Sequence, residues 1–344
     1  MKKILIVADD LTGALDSATA FAARGLKTLV LRRPEALPEA MRAEPDVLAI
    51  ATGTRELPAP EAVRIVEAAI APVAGWADIV LKKVDSRLKG HIADEVAVVA
   101  RLCKRHQAVI APAIPEFGRI VRDGLLTGHG LDGGIDIAGR FAALALPLRI
   151  PTVAAPDDFT PLLADLDSTL LVGARGLAAA LAQAQPEGGR EIALAPQAPL
   201  LIAIGSRDPI TLAQVDAIRG KSLIVAAPNG TIPPSVSPAH PLLIQMTQGH
   251  EPIGSAAATA LFSTALAELA DRMAPATIFA SGGETADGLL GIFGVNMLEV
   301  AGEFLPGIPM SRFRHHGRSL TLVTKSGGFG PPETLEILLR RIAG

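Results

Sequence analysis

Tyrosine is absent from this 344-residue chain, tryptophan and cysteine each occur once, and aromatic residues amount to only 3%. A core with so few large rings must be filled by branched aliphatics and alanine, and a hydrophobic content of 49% supplies them. The lone Cys103 excludes an internal disulfide framework and suits a reducing compartment. A formal net charge of -3 gives no electrostatic case for binding nucleic acid or an anionic membrane. Proline or charge interrupts every apolar run before the roughly 18 residues that a membrane-spanning helix needs. Lys2 and Lys3 precede an apolar run in the manner of a secretory leader, but Asp9 and Asp10 stop it after Ala8. That is short of the ~7–15 apolar residues such a leader requires, so a soluble, cytoplasmic protein is expected.

Metal-binding patterns are also wanting. His91, His106, His129, His240 and His250 show no ligand spacing with cysteine or carboxylates. His315 and His316 are adjacent, and neighbours in sequence point apart on a helix or strand, so no shared metal is expected there. Cys103 falls in a helical pattern and reads as a small buried hydrophobe.

What the chain does have is alternation. Short aliphatic runs at 3–8, 27–31, 46–52, 78–84, 108–113 and 169–173 are separated by helical patterns near 12–24, 60–72, 91–105 and 175–184. Continuous aliphatic runs, rather than every-other-residue patterning, mark strands buried on both faces, and with intervening helices they predict a parallel α/β sheet. The stretch "AQPEGGREIALAPQA" (184–198) breaks the pattern, after which aliphatic runs restart at 200–206, 222–228, 241–246, 276–282 and 319–325. The expectation is an α/β protein of two domains, 1–185 and 199–344, joined by a linker at 186–198. Each should be a mainly parallel sheet flanked by helices, with a ligand crevice between them. Residues 119–165 give no firm period.

In open α/β sheets ligands bind beyond the carboxyl ends of the strands, so polar residues that directly follow a strand carry the information. "ILIVADDLTGALDSA" (4–18) puts Asp9, Asp10, Thr12 and Gly13 at such an end. Helix capping accounts for one aspartate and leaves the pair unexplained. "KKVDSRLKGHIADE" (82–95) puts Lys82, Lys83, Asp85, Ser86, Arg87, Lys89 and Gly90 at another. A solvated charged loop is the plain reading, but cations there could also hold an anionic substrate by charge-assisted hydrogen bonds. "APAIPEFGRIVRDG" (111–124) follows a third strand, with Pro115 and Gly118 shaping the loop ahead of Arg119. In the second half, "GSRDPIT" (205–211), "ASGGETADG" (280–288) and "KSGGFG" (325–330) are small-residue loops at strand ends, where backbone N–H groups can approach a phosphate. None has the spacing of a P-loop or of a dinucleotide-binding glycine motif, and no nucleophile elbow is present.

Taken together and in order, "ADDLTGALDSA", "KKVDSRLKG", "PAIPEFGRIVRDG", "GSRDPIT", "SGGETADG" and "KSGGFG" resemble the four-carbon acid sugar kinase family across nearly the whole chain. The resemblance implies an N-terminal acid-sugar domain, a C-terminal ATP domain, and phosphorylation of threonate, erythronate or a 3-oxo-tetronate on the terminal hydroxyl. It implies Asp10, with Asp9, as catalytic carboxylates. Thr12, Gly13, Lys83, Asp85, Ser86, Arg87, Lys89, Gly90, Pro115, Gly118 and Arg119 would line the substrate. Ser206, Gly282, Gly283, Glu284, Thr285, Gly327 and Gly328 would hold ATP, with Mg²⁺ carried mainly by the nucleotide and no dedicated protein metal site. The expected partner is a small-molecule sugar acid, with neither nucleic acid nor membrane, and a homodimer is left open. The family commonly has Thr, Arg and Asn where Arg87, Lys89 and His91 stand, and Asp where Glu284 stands; the chain is also shorter around 125–170 and 230–250. These departures bear on the substrate. A non-catalytic small-molecule sensor is the rival reading, and a dehydrogenase would want a glycine motif where "ADDLTGA" stands.

Overall fold

The computed structural model describes residues 1–131, 133–190 and 194–343. The chain divides into two compact units, Met1–Glu191 and Ile192–Gly344. Of the expected linker at 186–198, residues 191–193 lie outside the described residues.

The first unit carries strands β1 (Ile4–Ala8), β2 (Thr28–Leu31), β3 (Val47–Ala51), β4 (Ile79–Lys83) and β5 (Gln107–Ala111). It continues with β6 (Arg119–Arg122), β7 (Leu125–Gly128), β8 (Ile135–Asp136), β9 (Leu148–Arg149) and β10 (Thr169–Gly173). Its helices are α1 (Leu11–Ala22), α2 (Leu37–Arg42), α3 (Ala59–Ile70), α4 (Ile92–Leu102), α5 (Ile137–Arg140) and α6 (Arg175–Gln183). The main sheet runs β2-β3-β1-β4-β10-β5-β9, every pair parallel. All residues of β1, β3 and β4 are buried, which is why β1 and β3 read as unbroken apolar runs and β4 is apolar up to its two closing lysines. Ala8 pairs with both Ala51 and Lys83, so three strands end level and their following loops leave side by side. That register builds the site described below.

Strands β6–β8 form a separate antiparallel sheet within the stretch that showed no period. Its first turn holds Asp123 and Gly124 at φ 50° and 76°, a two-residue hairpin turn in which both central residues are left-handed.

The second unit has β11 (Leu200–Ile204), β12 (Leu223–Pro228), β13 (Leu242–Thr247), β14 (Thr277–Ser281), β15 (Met297–Leu305), β16 (Ile308–His315) and β17 (Arg318–Lys325). Helices α7 (Pro209–Ala217), α8 (Ser255–Met273), α9 (Gly283–Ile292) and α10 (Thr334–Ala343) accompany them. The order is β12-β13-β11-β14-β17-β16-β15, parallel as far as β17 and antiparallel beyond it. Leu200, Ile202, Ile204, Phe279, Val323, Leu335 and Leu338 build its core. Strand β15 alternates half-buried and buried residues along its whole length, as an antiparallel strand with one exposed face does.

The β16–β17 turn overturns the reason given for separating the adjacent histidines. His316 and Gly317 adopt φ 46° and 76°, and this left-handed turn brings the two imidazoles together, ring centres 4.0 Å apart. Among the described residues no helix is long and apolar enough to cross a membrane.

Candidate functional site

At the end of β1, Asp10 is the N-cap of α1: its Oδ1 accepts the Gly13 N–H at 2.9 Å. A Cβ on Gly13 would stand 2.5 Å from that oxygen and 3.0 Å from Lys83 Nζ, so the position excludes a side chain. Thr12 is half-buried in the first turn of the same helix. Asp9 lies beneath, 2% exposed.

Two adjacent carboxylates in so dry a place need a countercharge, and Arg55 supplies it from the loop that follows β3. Its Nε and Nη2 donate to the two Asp9 oxygens at 2.8 Å each, while Nη1 donates to Asp10 Oδ2 at 3.1 Å and lies 3.8 Å from Asp85 Oδ2. One planar guanidinium thus ties together carboxylates from two neighbouring loops. Burial opposes the Arg55 charge, yet hydrogen bonding to Asp9 and the charges of Asp10, Asp9 and Asp85 raise its pKa.

The two aspartates are pushed in opposite directions. Burial alone would raise Asp9, but the Arg55 hydrogen bonds and the charges of Lys82, Arg55 and Lys83 hold it below the usual carboxylate range. Burial raises Asp10, and the negative charge of Asp9 adds to that rise against the pull of Arg55, Lys83 and the Gly13 amide. Environments that split two titratable groups in this way assign them different roles.

The neighbouring lysines of β4 part company because successive residues of a strand face opposite sides. Lys83 turns toward Asp10 and Gly13 and donates to Val84 O at 2.9 Å. Lys82 turns the other way and pairs with Glu95 of α4 at 2.8 Å, both side chains 1% exposed, while Thr54 Oγ1 donates to the same carboxylate at 2.5 Å. Removing one partner of such a pair costs about 3–5 kcal/mol, so Lys82 belongs to the scaffold.

Beyond β4, Asp85 Oδ1 accepts the Arg87 and Lys89 amides at 2.9 and 3.4 Å and shapes the loop. The side chains of Arg87 and Lys89 are exposed. Gly90, at φ 85°, passes so close to Asp9 that a Cβ would meet its Oδ2 at 3.0 Å. After β5, Pro115 opens a short turn that ends on left-handed Gly118, and the Ile114–Arg119 backbone pair closes it. Buried Arg119 then donates to Ser86 Oγ at 2.5 Å and to His129 O at 2.8 Å. Burial and the nearby Arg87 charge lower its pKa, with Asp85 opposing. Two guanidiniums accordingly flank Gly130, whose Cβ would lie 3.1 Å from Arg87 Nη2 and 3.5 Å from Arg119 Nη2.

In the second unit, Ile204 pairs with Ser281 and Ser281 with Lys325, so β11, β14 and β17 also end level. The loops that follow pack closely, with glycine backbone against neighbouring hydroxyl side chains. A Cβ on Gly205 would stand 1.9 Å from Thr285 Oγ1, one on Gly327 would stand 2.4 Å from Ser206 Oγ, and Gly282 takes φ 110°. Asp208 caps α7 by accepting the Ile210 N–H at 2.9 Å, and Gly328 approaches its carboxylate. The N-termini of α7 and α9 open beside these loops. Gly283 begins α9 and Thr285 is buried in its first turn, whereas Glu284 turns away, accepting from Thr259 Oγ1 of α8 at 3.2 Å.

Sequence reasoning passed over Lys325. It is 1% exposed and donates to Thr211 Oγ1 at 2.8 Å and to the carbonyls of Ser326, Gly327 and Phe329 at 3.1, 2.9 and 3.1 Å. Burial lowers its pKa to about 8, with Asp208 pulling the other way. Arg55 was passed over as well, although it follows β3 as Asp9 follows β1.

One α/β unit thus carries a cluster of carboxylates and cations at its strand ends, and the other carries small-residue loops over a buried lysine. A family model described as "Sugar-binding N-terminal domain" matches residues 4–137, and one described as "Nucleotide-binding C-terminal domain" matches residues 237–335. The D-threonate kinase of Salmonella typhimurium LT2 is 38% identical over 134 residues, 38% of this chain and 30% of that one. The 3-oxo-tetronate kinase of Cupriavidus necator is 26% identical over 424 residues, 98% of this chain and 96% of that one. A solved Haemophilus influenzae protein shares the fold at TM-score 0.71 and 17% identity, covering 97% of this chain and 98% of that one. The chain belongs to the four-carbon acid sugar kinase family and is an enzyme, a phosphotransferase.

Proposed function

We propose that this enzyme transfers the γ-phosphoryl group of ATP to the terminal hydroxyl of a four-carbon sugar acid: threonate, erythronate or a 3-oxo-tetronate. The observation that carries this reading is the split Asp9–Asp10 pair around Arg55, at level strand ends beside Lys83. Phosphoryl transfer asks little covalent chemistry of a protein beyond positioning, countercharge and a carboxylate near the attacking hydroxyl. Asp10, with its raised pKa, accepts the hydroxyl proton as the oxygen bonds the γ-phosphorus of ATP and ADP leaves. Asp9 stays ionised and fixes Arg55. Lys83, Arg87, Lys89 and Arg119 hold the substrate carboxylate and its polar edge. The acid-sugar role thus falls to 1–185 and the nucleotide role to 199–344.

What supports a polyphosphate site is the grouping of these small-residue loops at level strand ends beside the N-termini of α7 and α9, where glycines let Ser206 and Thr285 pack close. Ser206, Gly282, Gly283, Thr285, Gly327 and Gly328 would hold ATP, with Lys325 beneath them. Mg²⁺ arriving with the nucleotide would offset phosphate charge. Purified protein given ATP and a panel of threonates, erythronates and 3-oxo-tetronates should release ADP with one member far faster than with the rest. No ADP release with any of them would sink the proposal.

Lys325 gives ATP binding a pH dependence. Its charged form attracts phosphate, and in the free protein that form is lost as pH rises through about 8. ATP affinity should therefore weaken above that pH, whereas Lys325→Met should bind more weakly and without this dependence. Calorimetric titrations from neutral to mildly alkaline pH check this; an identical alkaline fall in the Met variant would exclude Lys325 as its source.

A further inference from the structure

A second, unrelated cluster lies at the β16–β17 hairpin. His315 and His316 of the turn and Asp271 in the last turn of α8 each offer one ligand atom, and these atoms lie within 4.8 Å of one another. Among the described residues no other group of three histidine, cysteine or acidic side chains is so placed. We propose that Asp271, His315 and His316 form a binding site for a divalent transition-metal ion of the zinc class, clasping the hairpin tip to the end of α8.

The geometry is near what such an ion needs. His315 Nε2 lies 2.8 Å, and His316 Nε2 3.7 Å, from the same Asp271 oxygen. Ligands about 2.0–2.2 Å from a tetrahedral zinc stand roughly 3.3–3.5 Å from one another. Entry of the ion therefore asks that the His315–Asp271 hydrogen bond open by a few tenths of an ångström and that His316 and the other ligand atoms, all within 4.8 Å of one another, draw in around it. The left-handed conformation of His316 (φ 46°) swings its ring alongside that of its neighbour. Phe293 stacks on His315 with ring centres 3.9 Å apart and fixes its plane. The nearby cations do not compete for the carboxylate in this arrangement: Arg314 donates to Gly317 O at 3.2 Å and Arg318 to Ala274 O at 3.1 Å.

Two imidazoles and one carboxylate select borderline ions such as Zn²⁺, Co²⁺ or Ni²⁺ over Mg²⁺, which prefers an all-oxygen shell. The site thus stays distinct from any Mg²⁺ that accompanies a nucleotide. Three protein ligands leave room for water or an outside donor, as in open zinc sites. Because an imidazole binds metal only as the neutral ring, binding should release protons and weaken in acid.

The test uses full-length protein stripped of metal by a chelator. Titration with Co²⁺, followed by its visible absorption, and with Zn²⁺ by calorimetry should show one ion per chain. His316→Asn keeps a residue that tolerates the left-handed turn, and Asp271→Asn removes only the charge. Each variant should lose affinity at least about tenfold, in line with the loss of a site-forming group. Zn²⁺ should raise the melting temperature of the wild type and not of the variants. Absence of saturable binding, or equal affinity in the wild type and both variants, would overturn the site and leave an ordinary His–Asp hydrogen bond.

Discussion

Asp10→Asn should lower kcat by about 10²–10⁴-fold, the usual worth of a positioned general base, with little change in ATP affinity. The substitution is a clean one because asparagine caps a helix as well as aspartate does, so the Gly13 hydrogen bond survives. Removal of the base is therefore separable from damage to α1. In the wild type, the base must be ionised, and Asp10 titrates above the ordinary carboxylate range. Activity should accordingly fall with acid at a higher pH than an unperturbed aspartate would give, and that limb should vanish in Asp10→Asn. The paired variant behaves differently. Asp9 has a depressed pKa, so its contribution to stability is present above the unfolded value and lost as pH falls through the lower folded one. Asp9→Asn should thus melt earlier than the wild type near neutral pH. Near-normal kcat in Asp10→Asn would place the base elsewhere.

The second large effect concerns substrate charge. Arg119 sits with its pKa lowered by burial and by Arg87, a guanidinium that gains from an anion. A hydrogen bond to a charged group is worth about 1.5–3 kcal/mol net. Arg119→Met should raise KM for the sugar acid roughly ten- to a hundredfold, with Lys89→Met in the same direction. The weak turnover of a neutral four-carbon polyol should hardly change, since it lacks the carboxylate the cations hold. Arg119 also donates to Ser86 and His129, so its loss loosens the loop. Comparing acid with polyol cancels that structural part. Equal losses on both compounds would mean that these cations do not read the carboxylate.

The α/β character was legible because β1 and β3 are buried along their whole length and carry no polar interruption, while β4 stays apolar until its closing lysines. Level strand ends made Asp9, Asp10 and Lys83 neighbours, which spacing along the chain cannot state but parallel pairing dictates. Arg55 was equally available to the strand-end rule, since Thr52–Arg55 leaves β3 as Asp9–Gly13 leaves β1. It reads as an ordinary loop cation until the countercharge demanded by two buried carboxylates is asked for. Strands β15 and β16 went unread because their apolar residues alternate or mix with charge, a weaker signal than an unbroken run. The Asp123–Gly124 pair was a hairpin signal in plain view. His316–Gly317 was a subtler one, because histidine, although it enters the left-handed region more readily than most residues, is not among the residues that mark hairpin turns. Lys325 shows its charge in sequence, but its burial, and hence its lowered pKa, belongs to the packed loops around it.

The alternation of Lys82 and Lys83 makes β4 a strand of two trades, one lysine anchoring α4 while its charge still reaches Asp9, and the other turned to Asp10 and Gly13. Their chemical identity hides an asymmetry that only phase along the strand maintains. Deleting or inserting one residue between Ile79 and Leu81 would leave both lysines in the chain yet exchange their faces. Frame-preserving indels there would be purged far more severely than lysine-to-arginine changes at either position. Variation among descendants of this chain should therefore concentrate in the length of the loops around β4, never in the length of β4 itself.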